Sequence, residues 1–442
     1  MTTSIPTTVL PENGKTTNEN QEKSKKAAVK SALAANYVDQ FDIFVPVIAL
    51  APVTAQLFGE DNLAQTAGLV FVATLIGRPL GSLIFGPVAD KYGRKTIAVV
   101  TLAGISLTTY AIALVPDHTS WGAWTLYWVI IMRFLGGLFL GGQYSAAIPL
   151  AMEWTRPRNR GSLSGGIMAM SPLANVTIAA LTLLLLATLG IDTYAAWGWR
   201  IPFLISATLA AVMMCIYLAK VKESDTARQL HATPPTTGIK TTALSEVTLG
   251  THRGTFARIF LLMTGLWIIA NMTIPVVTRQ LTALQQWTPT QVTLIMLYGT
   301  AIAAVSMWAC GHLSTFLGRR KFFIIAGIVI TLIAPPSYLF IWEATTLSGV
   351  IIWVVLLQIF TVSVYGPIGA YLSEKFPTHV RSTGYGLGYS LSIVIPALYP
   401  YYLPSLQNQF GEYGAVGLLL ALSGILIMSG AVLERRQESL LA

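Results

Sequence analysis

The chain has 442 residues, 54% of them hydrophobic and only 11% charged, and its mean hydropathy is +0.62. A soluble globular chain carries roughly 25% charged residues, so this one lacks the polar surface to cover itself in water and reads as an all-α membrane protein. The net charge of +9 does not point to nucleic acid, because the basic residues fall in short segments between apolar runs, as in the positive inner loops of membrane proteins.

In chain order, residues 1–35 are rich in Thr, Asn, Glu and Lys and are expected to form a disordered cytoplasmic tail. A membrane helix needs about twenty apolar residues. Spans are therefore expected at 36–58, 64–88, 96–115, 124–152, 162–189 and 199–219. A polar linker with Pro234-Pro235, Lys220, Lys222, Arg228, Lys240 and Arg253 covers 220–258. Six more spans follow at 259–277, 291–310, 322–342, 347–373, 383–403 and 414–433, and a short tail at 434–442 carries Arg435 and Arg436. Runs such as 201–218 lack period-2 alternation, which argues against an outer-membrane barrel. Lys and Arg gather in alternate loops, while the opposite loops hold Glu60, Asp61, Asp117, Asp192, Glu343 and Glu412 beside only Arg200 and Arg279. The positive-inside rule then places both termini in the cytoplasm and the chain in the inner (plasma) membrane.

Two motifs recur in the same order. Gly86-Pro-Val-Ala-Asp90-Lys-Tyr-Gly93-Arg94-Lys95 follows the second span, and Gly311-His-Leu-Ser-Thr315-Phe-Leu-Gly318-Arg319-Arg320 follows the eighth, with Thr315 in the place of Asp90. Glu153 to Arg160-Gly161, after the fourth span, is matched by Glu374 to Arg381 with Gly384 after the tenth. The repetition implies two pseudo-symmetric six-helix halves, 36–219 and 259–433, with a site at the midplane between them, one common transporter plan. Gly86, Asp90, Gly93, Arg94, Lys95, Arg160, Arg319, Arg320 and Arg381 are the expected gating residues: a charge-pair latch between helix ends, or else a solvated loop that only sets topology.

Charges inside hydrocarbon are costly and each needs an account. Four fall well inside spans: Asp39, Asp42, Arg78 and Arg133. Asp39 and Asp42, at i and i+3, share a helix face. Two carboxylates that close cannot both ionise cheaply in low dielectric, so they are the expected proton-coupling pair with Arg133; Asp39 lies near the inner end of its span, where a capping role also fits. Arginine keeps its proton and needs an anion. For Arg133 that is Asp42 or a substrate carboxylate. Arg78 either draws a substrate anion or snorkels to the surface. Gln143, Tyr144, Trp267, Asn271, Tyr298, Gln358, Tyr365, Tyr385 and Tyr389 are polar or aromatic residues within spans. All but Tyr385 are, with Arg78 and Arg133, the candidate substrate-binding residues. Cys215 and Cys310 read as small hydrophobes, and His118, His231, His252, His312 and His379 all fall in or beside loops. No metal, cofactor or catalytic residue is assigned, and without a Ser/His/Asp set or a phosphate loop the chain does not read as an enzyme.

The motif Gly86-xxx-Asp90-xx-Gly93-Arg94-Lys95 resembles the signature loop of the major facilitator superfamily, and the resemblance covers essentially the whole chain. Arg78-Pro79-Leu80-Gly81, Asp39-Gln-Phe41-Asp42, Trp197-Gly-Trp199-Arg200-Ile-Pro202-Phe203 and Phe376-Pro377-Thr-His-Val-Arg381-Ser-Thr-Gly384 are similar to stretches of its metabolite:proton symporter group. That likeness implies a twelve-helix secondary transporter moving a small organic acid, or a zwitterion such as proline or a betaine, with a proton. Asp42 and Arg133 would correspond to the coupling acid and its partner. The group usually has Glu where this chain has Gln143, which removes one candidate proton site. The expected partners are a small-molecule substrate, a proton and the lipid bilayer, with a monomer as the working unit. Proton-coupled efflux of amphipathic compounds or drugs is the competing expectation, and a non-transporting sensor on the same fold is a third.

Overall fold

The computed structural model describes residues 13–58, 63–221, 223, 242–283 and 287–433. Within them the first half is α1 (Asn13–Ala49), α2 (Leu63–Tyr92), α3 (Arg94–Ala113), α4 (Trp124–Glu153), α5 (Pro157–Thr193) and α6 (Arg200–Lys220). A short linker helix, α7 (Ala243–Thr248), leads to the second half. That half contains α8 (Arg253–Asn271), α9 (Pro289–Leu317), α10 (Arg319–Glu343), α11 (Leu347–Phe360), α12 (Ile368–Lys375), α13 (Arg381–Ser390), α14 (Tyr399–Phe410) and α15 (Glu412–Val432).

Eleven segments among the described residues are long and apolar enough to cross a membrane. The expected span at 383–403 is present in pieces: α13 gives way to a 3-10 turn at Leu391–Ile393 and a short helix Val394–Ala397 before α14. Pro396 has no N–H to return to the preceding turn, and Ser392 Oγ donates to its own helix at the Gly388 carbonyl, 2.8 Å, so the regular ladder is interrupted where these two act together. The expected span at 347–373 is likewise broken between α11 and α12, by a 3-10 turn at Val362–Tyr365 followed by Gly366-Pro367.

One expectation is corrected at the N-terminus. The tail was expected to be disordered through residue 35, yet α1 begins at Asn13. Glu22, Lys23, Lys25, Lys26, Ala27 and Ala28 are good helix formers, and Ala28, Ala32 and Ala35 are buried, so the apolar stripe of the first span starts a full turn or more before its hydropathy does. The linker at 224–241 and the tail at 434–442 lie outside the described residues.

A second correction concerns the repeated motif. The second span was expected to end at residue 88; α2 continues to Tyr92, so Asp90 lies in its last turn, and Gly93 alone separates α2 from α3, at φ 101°. Gly318 does the same between α9 and α10 at φ 83°. Side chains rarely adopt that backbone region, so the recurrence of Gly at both positions has a direct conformational cause.

The two halves meet along two seams. In the first, α2 runs beside residues 381–397: Leu75 packs with Ile393 and Ala397, Ser82 Oγ donates to Ser390 Oγ at 2.9 Å, Gly86 lies against Thr383, and Asp90 reaches Ser382 and Thr383. In the second, α5 lies on α9 and the break before α12. Gly161 faces Gly311 and Thr315, and Ser164 Oγ donates to the Gly366 carbonyl at 2.6 Å. These seams are related by the same duplication that repeats the motifs.

Candidate functional site

The placement of Arg78 starts with glycines. A Cβ on Gly141 would lie 2.1 Å from the Arg78 carbonyl oxygen, one on Gly137 2.1 Å from that of Thr74, and one on Gly81 1.8 Å from that of Leu138. Helices α2 and α4 therefore touch backbone to backbone, the use small residues serve in membrane helices. At that spacing Arg78 is held in the protein interior and is 2% exposed, which sets aside the snorkelling alternative.

The Arg78 guanidinium carbon lies 4.8 Å from the Tyr144 ring centre and 5.6 Å from those of Trp267 and Tyr389. Tyr144 belongs to the first half and the other two to the second. Tyr144 stacks on Tyr389 at 4.9 Å, Trp267 meets Tyr389 edge-on at 5.3 Å and Tyr365 at 5.6 Å, and Tyr385 stacks on Tyr389 at 6.1 Å. Trp267 Nε1 donates to the Tyr389 carbonyl at 3.0 Å. Cation–π attraction of this kind is stronger when the partners are desolvated. Arg78 Nε and Nη2, the two nitrogens of its side-on edge, are buried without hydrogen-bond partners, as are the hydroxyls of Tyr365 and Tyr385. An arginine edge with both N–H groups unmatched suits a carboxylate, which accepts two parallel bonds from it.

A second buried cluster lies inside the first half. Arg133 Nη1 donates to Asp42 Oδ2 at 3.2 Å and to the Asp42 carbonyl at 2.8 Å. Asp42 Oδ1 accepts from Thr109 Oγ1, and from Ser206 Oγ at 3.3 Å. Arg133 also lies 5.5 Å from the Phe203 ring centre, and its Nε and Nη2 have no hydrogen-bond partner. Asp39, 3% exposed, has an unpaired Oδ1 and is within electrostatic reach of both Asp42 and Arg78. Its charge is therefore felt by both clusters. Gln40, which the sequence reading passed over, links the same helix to the aromatic group: Gln40 Nε2 bonds to the Tyr144 hydroxyl, and Ser171 Oγ donates to Gln40 Oε1 at 2.6 Å.

The remaining candidates are scattered. Gln143 accepts from Thr101 Oγ1 at 2.6 Å and is fixed inside the first half. Asn271 donates to the Trp267 carbonyl at 2.9 Å. Gln358 is buried against Gly299 with neither side-chain atom hydrogen-bonded. Tyr298 is a correction: it is 48% exposed, on a stripe of α9 with Leu294, Leu297, Ile302 and Val305. That stripe is apolar and faces outward, so Tyr298 does not join the aromatic group.

At the Asp90 end the halves are tied by charge. Asp90 accepts from Ser382 N (2.9 Å), Thr383 N (2.8 Å) and Thr383 Oγ1 (2.8 Å), all in the first turn of α13. Arg94, 3.5 Å from Asp90, donates to Ser382 Oγ at 2.9 Å and to the Thr378 carbonyl at 2.7 Å. Glu153 is paired with both Arg94 and Arg381. Glu153 is not among the expected gating residues; its position at the end of a span before a basic loop is the signal the sequence offers. Lys95 and Arg320 bond to carbonyls of their own halves, at Leu218 and at Ala431 and Val432. Arg160 donates to the Met152 and Thr155 carbonyls. Arg319 meets Glu374 at 3.4 Å, the second-half counterpart of Arg94 and Glu153.

The sequence profile of the Major Facilitator Superfamily matches residues 33–400. The chain belongs to the Major Facilitator Superfamily. It is 30% identical to the inner membrane metabolite transport protein YhjE of Escherichia coli K12 over 438 residues, 94% of this chain and 96% of that one. It is 26% identical to the proline/betaine transporter of the same strain, over 85% of this chain and 76% of that one. Among solved structures, the proton:xylose symporter XylE bound to 6-bromo-6-deoxy-D-glucose aligns with a TM-score of 0.71 over 93% of this chain and 95% of that one, at 13% identity. That last likeness is one of fold. The chain is thus a multi-pass membrane transporter of the Major Facilitator Superfamily and not an enzyme.

Proposed function

We propose that this transporter carries a small organic acid, zwitterions included, together with a proton, across the inner (plasma) membrane with both termini cytoplasmic. The observation that carries this reading is Arg78: a buried guanidinium between the halves, ringed by aromatics from both, with the side-on N–H pair unmatched. A substrate carboxylate supplies the missing acceptor, and the aromatic faces then accept a cationic group if the substrate has one. The relatives named as metabolite and proline/betaine transporters support that class.

The coupling step assigned to Asp42 and Asp39 follows from charge balance. With Asp42 ionised, Arg133 is neutralised; protonation of Asp42 releases Arg133, whose Nε and Nη2 already lack partners. A buried unpaired charge is costly, so the released cation drives a rearrangement toward another anion. Asp39, within electrostatic reach of both Asp42 and Arg78, relays the change to the substrate region. The contacts of Asp90, Arg94, Arg381 and Glu153 act as the latch on the cytoplasmic face.

The test is uptake of radiolabelled organic acids and zwitterions into proteoliposomes with an imposed pH gradient. Asp42→Asn is expected to abolish accumulation against a gradient while leaving exchange. Arg78→Lys keeps the charge but removes the planar edge, and is expected to raise the half-saturating substrate concentration about 10- to 100-fold, the scale of a lost charge-assisted pair. Uptake indifferent to the pH gradient, with Asp42→Asn as active as the parent, refutes the coupling. Pumping of amphipathic drugs with no acid bound would favour the efflux alternative.

A further inference from the structure

The histidines fall in or beside loops in the sequence. The fold gathers two of them around one carboxylate. Glu246 lies in the linker helix α7, His252 just before α8, and His379 in the 3-10 turn Thr378–Val380 that precedes α13. Glu246 Oε1 is 3.5 Å from His252 Nε2 and 2.9 Å from His379 Nε2, and one ligand atom from each residue lies within 4.8 Å of the others. In a tetrahedral zinc site with bonds of about 2.0–2.1 Å, neighbouring ligand atoms are about 3.3 Å apart. The two measured separations bracket that value.

We propose that Glu246, His252 and His379 form a regulatory site for a first-row divalent metal ion, Zn2+ being the representative. Two imidazoles and one carboxylate fit that class and leave a fourth position for water. The side chains are 23%, 18% and 50% exposed, so the ion enters from solution.

The site is wired to the Asp90 end through short contacts. His379 adjoins Thr378, whose carbonyl accepts from Arg94 of the other half. The His252 ring stands edge-on to Phe376 at 6.3 Å, the buried Phe376 ring fills the space above Gly384, and the Phe376 carbonyl accepts from Arg381. An ion at these three ligands clamps α7 and the start of α8 to the turn carrying Thr378. It thereby fixes the loop on which Arg94 and Asp90 close. The metal holds the Asp90 face shut, as an inhibitory brake. This second step rests on the latch reading given above; the binding step does not.

The experiment uses the purified full chain in nanodiscs. Isothermal titration with ZnCl2 is expected to show one site that weakens at least about 10-fold in His379→Ala and is lost in His252→Ala/His379→Ala, the scale of removing a ligand. Both changes lie at exposed or partly exposed positions, and a thermal melt without zinc checks that the variants fold. Zinc stoichiometry and affinity unchanged in the double variant overturn the site. For the brake, spin labels are placed at Tyr92 and Phe316, exposed residues of the two halves near the Asp90 end, after Cys215→Ser and Cys310→Ser. Zinc is expected to raise the short-distance population in the parent and not in His379→Ala. Binding without that change overturns the brake and leaves the site. Because neither readout needs substrate, failure here is separate from failure of the proposed transport.

Discussion

Asp90→Asn is the sharpest perturbation of the latch. Asp90 accepts three hydrogen bonds, from Ser382 N, Thr383 N and Thr383 Oγ1, and also stands 3.5 Å from Arg94. The asparagine keeps the shape and loses the charge. Its amide nitrogen is a donor, and each carboxylate oxygen of Asp90 faces a backbone N–H, so one of those bonds is lost outright whichever way the amide turns. Hydrogen bonds to a charged group contribute about 1.5–3 kcal/mol against about 1 for neutral pairs. Losing one and weakening the others costs the closed Asp90 face about 2–3 kcal/mol, which moves its equilibrium with the open form roughly 30- to 150-fold. Thr383→Val removes only the hydroxyl bond and is expected to move it about tenfold, from about 1.5 kcal/mol. The assay is the distance distribution between spin labels at Tyr92 and Phe316, read beside single-turnover uptake. The open population should rise in the order parent, Thr383→Val, Asp90→Asn, and turnover should fall in the same order with substrate binding nearly unchanged. A variant with normal turnover and lost binding refutes the reasoning, as does an unchanged distance distribution.

Gly141→Ala inserts a methyl where the Arg78 carbonyl is 2.1 Å away; overpacking of this kind costs about 1–3 kcal/mol, and the thermal midpoint in detergent should fall accordingly. Arg133→Ala leaves Asp42 buried with its cation gone, a loss of about 3–5 kcal/mol; Asp42→Asn/Arg133→Gln should melt higher than Arg133→Ala alone. Tyr298→Leu changes only an outward stripe of α9 and should leave uptake within about twofold of the parent, because surface changes away from special contacts rarely exceed about 0.5 kcal/mol.

The spans were legible because hydropathy needs no knowledge of neighbours. The Asp42–Arg133 pair was legible because charges inside hydrocarbon are scarce and must compensate one another. The aromatic group was only half legible. Tyr144, Trp267, Tyr365 and Tyr389 come together around Arg78, while Tyr298, the same residue type in the same kind of span, faces outward. In a soluble helix the polar face would have separated them. Here the bilayer is as apolar as the interior, so composition carries no sign of which face is which. The place of Arg78 depended on something sequence does carry, the glycines of α2 and α4, but their consequence is a helix-to-helix distance and appears only when both helices are placed. The break at Leu391–Ile393 was missed for the opposite reason: Ser392 and Pro396 act locally within a run whose hydropathy is continuous.

The lost acid of the second motif sharpens what the first one does. Thr315 occupies the place of Asp90, and each meets the helix start of the opposite half: Asp90 at Ser382 and Thr383, Thr315 at Gly161. The carboxylate is present at the first contact and absent at the second, where Gly161 lies against Gly311 with backbone close to backbone and Arg319 Nη1 donates to Thr315 Oγ1 at 3.2 Å beside it. A contact built from charge-assisted hydrogen bonds can be exchanged for water when a face opens, since water satisfies the same groups. A contact built from glycine packing has no such exchange available and loses its dispersion on separation. The α2–α13 seam, tied through the Asp90 carboxylate, is therefore the better place for the opening. Restoring the acid, Thr315→Asp, would bring a carboxylate to a close-packed seam beside Arg319, which already meets Glu374 at 3.4 Å. The two motifs thus share their glycines and differ in the acid, which only the α2–α13 seam carries.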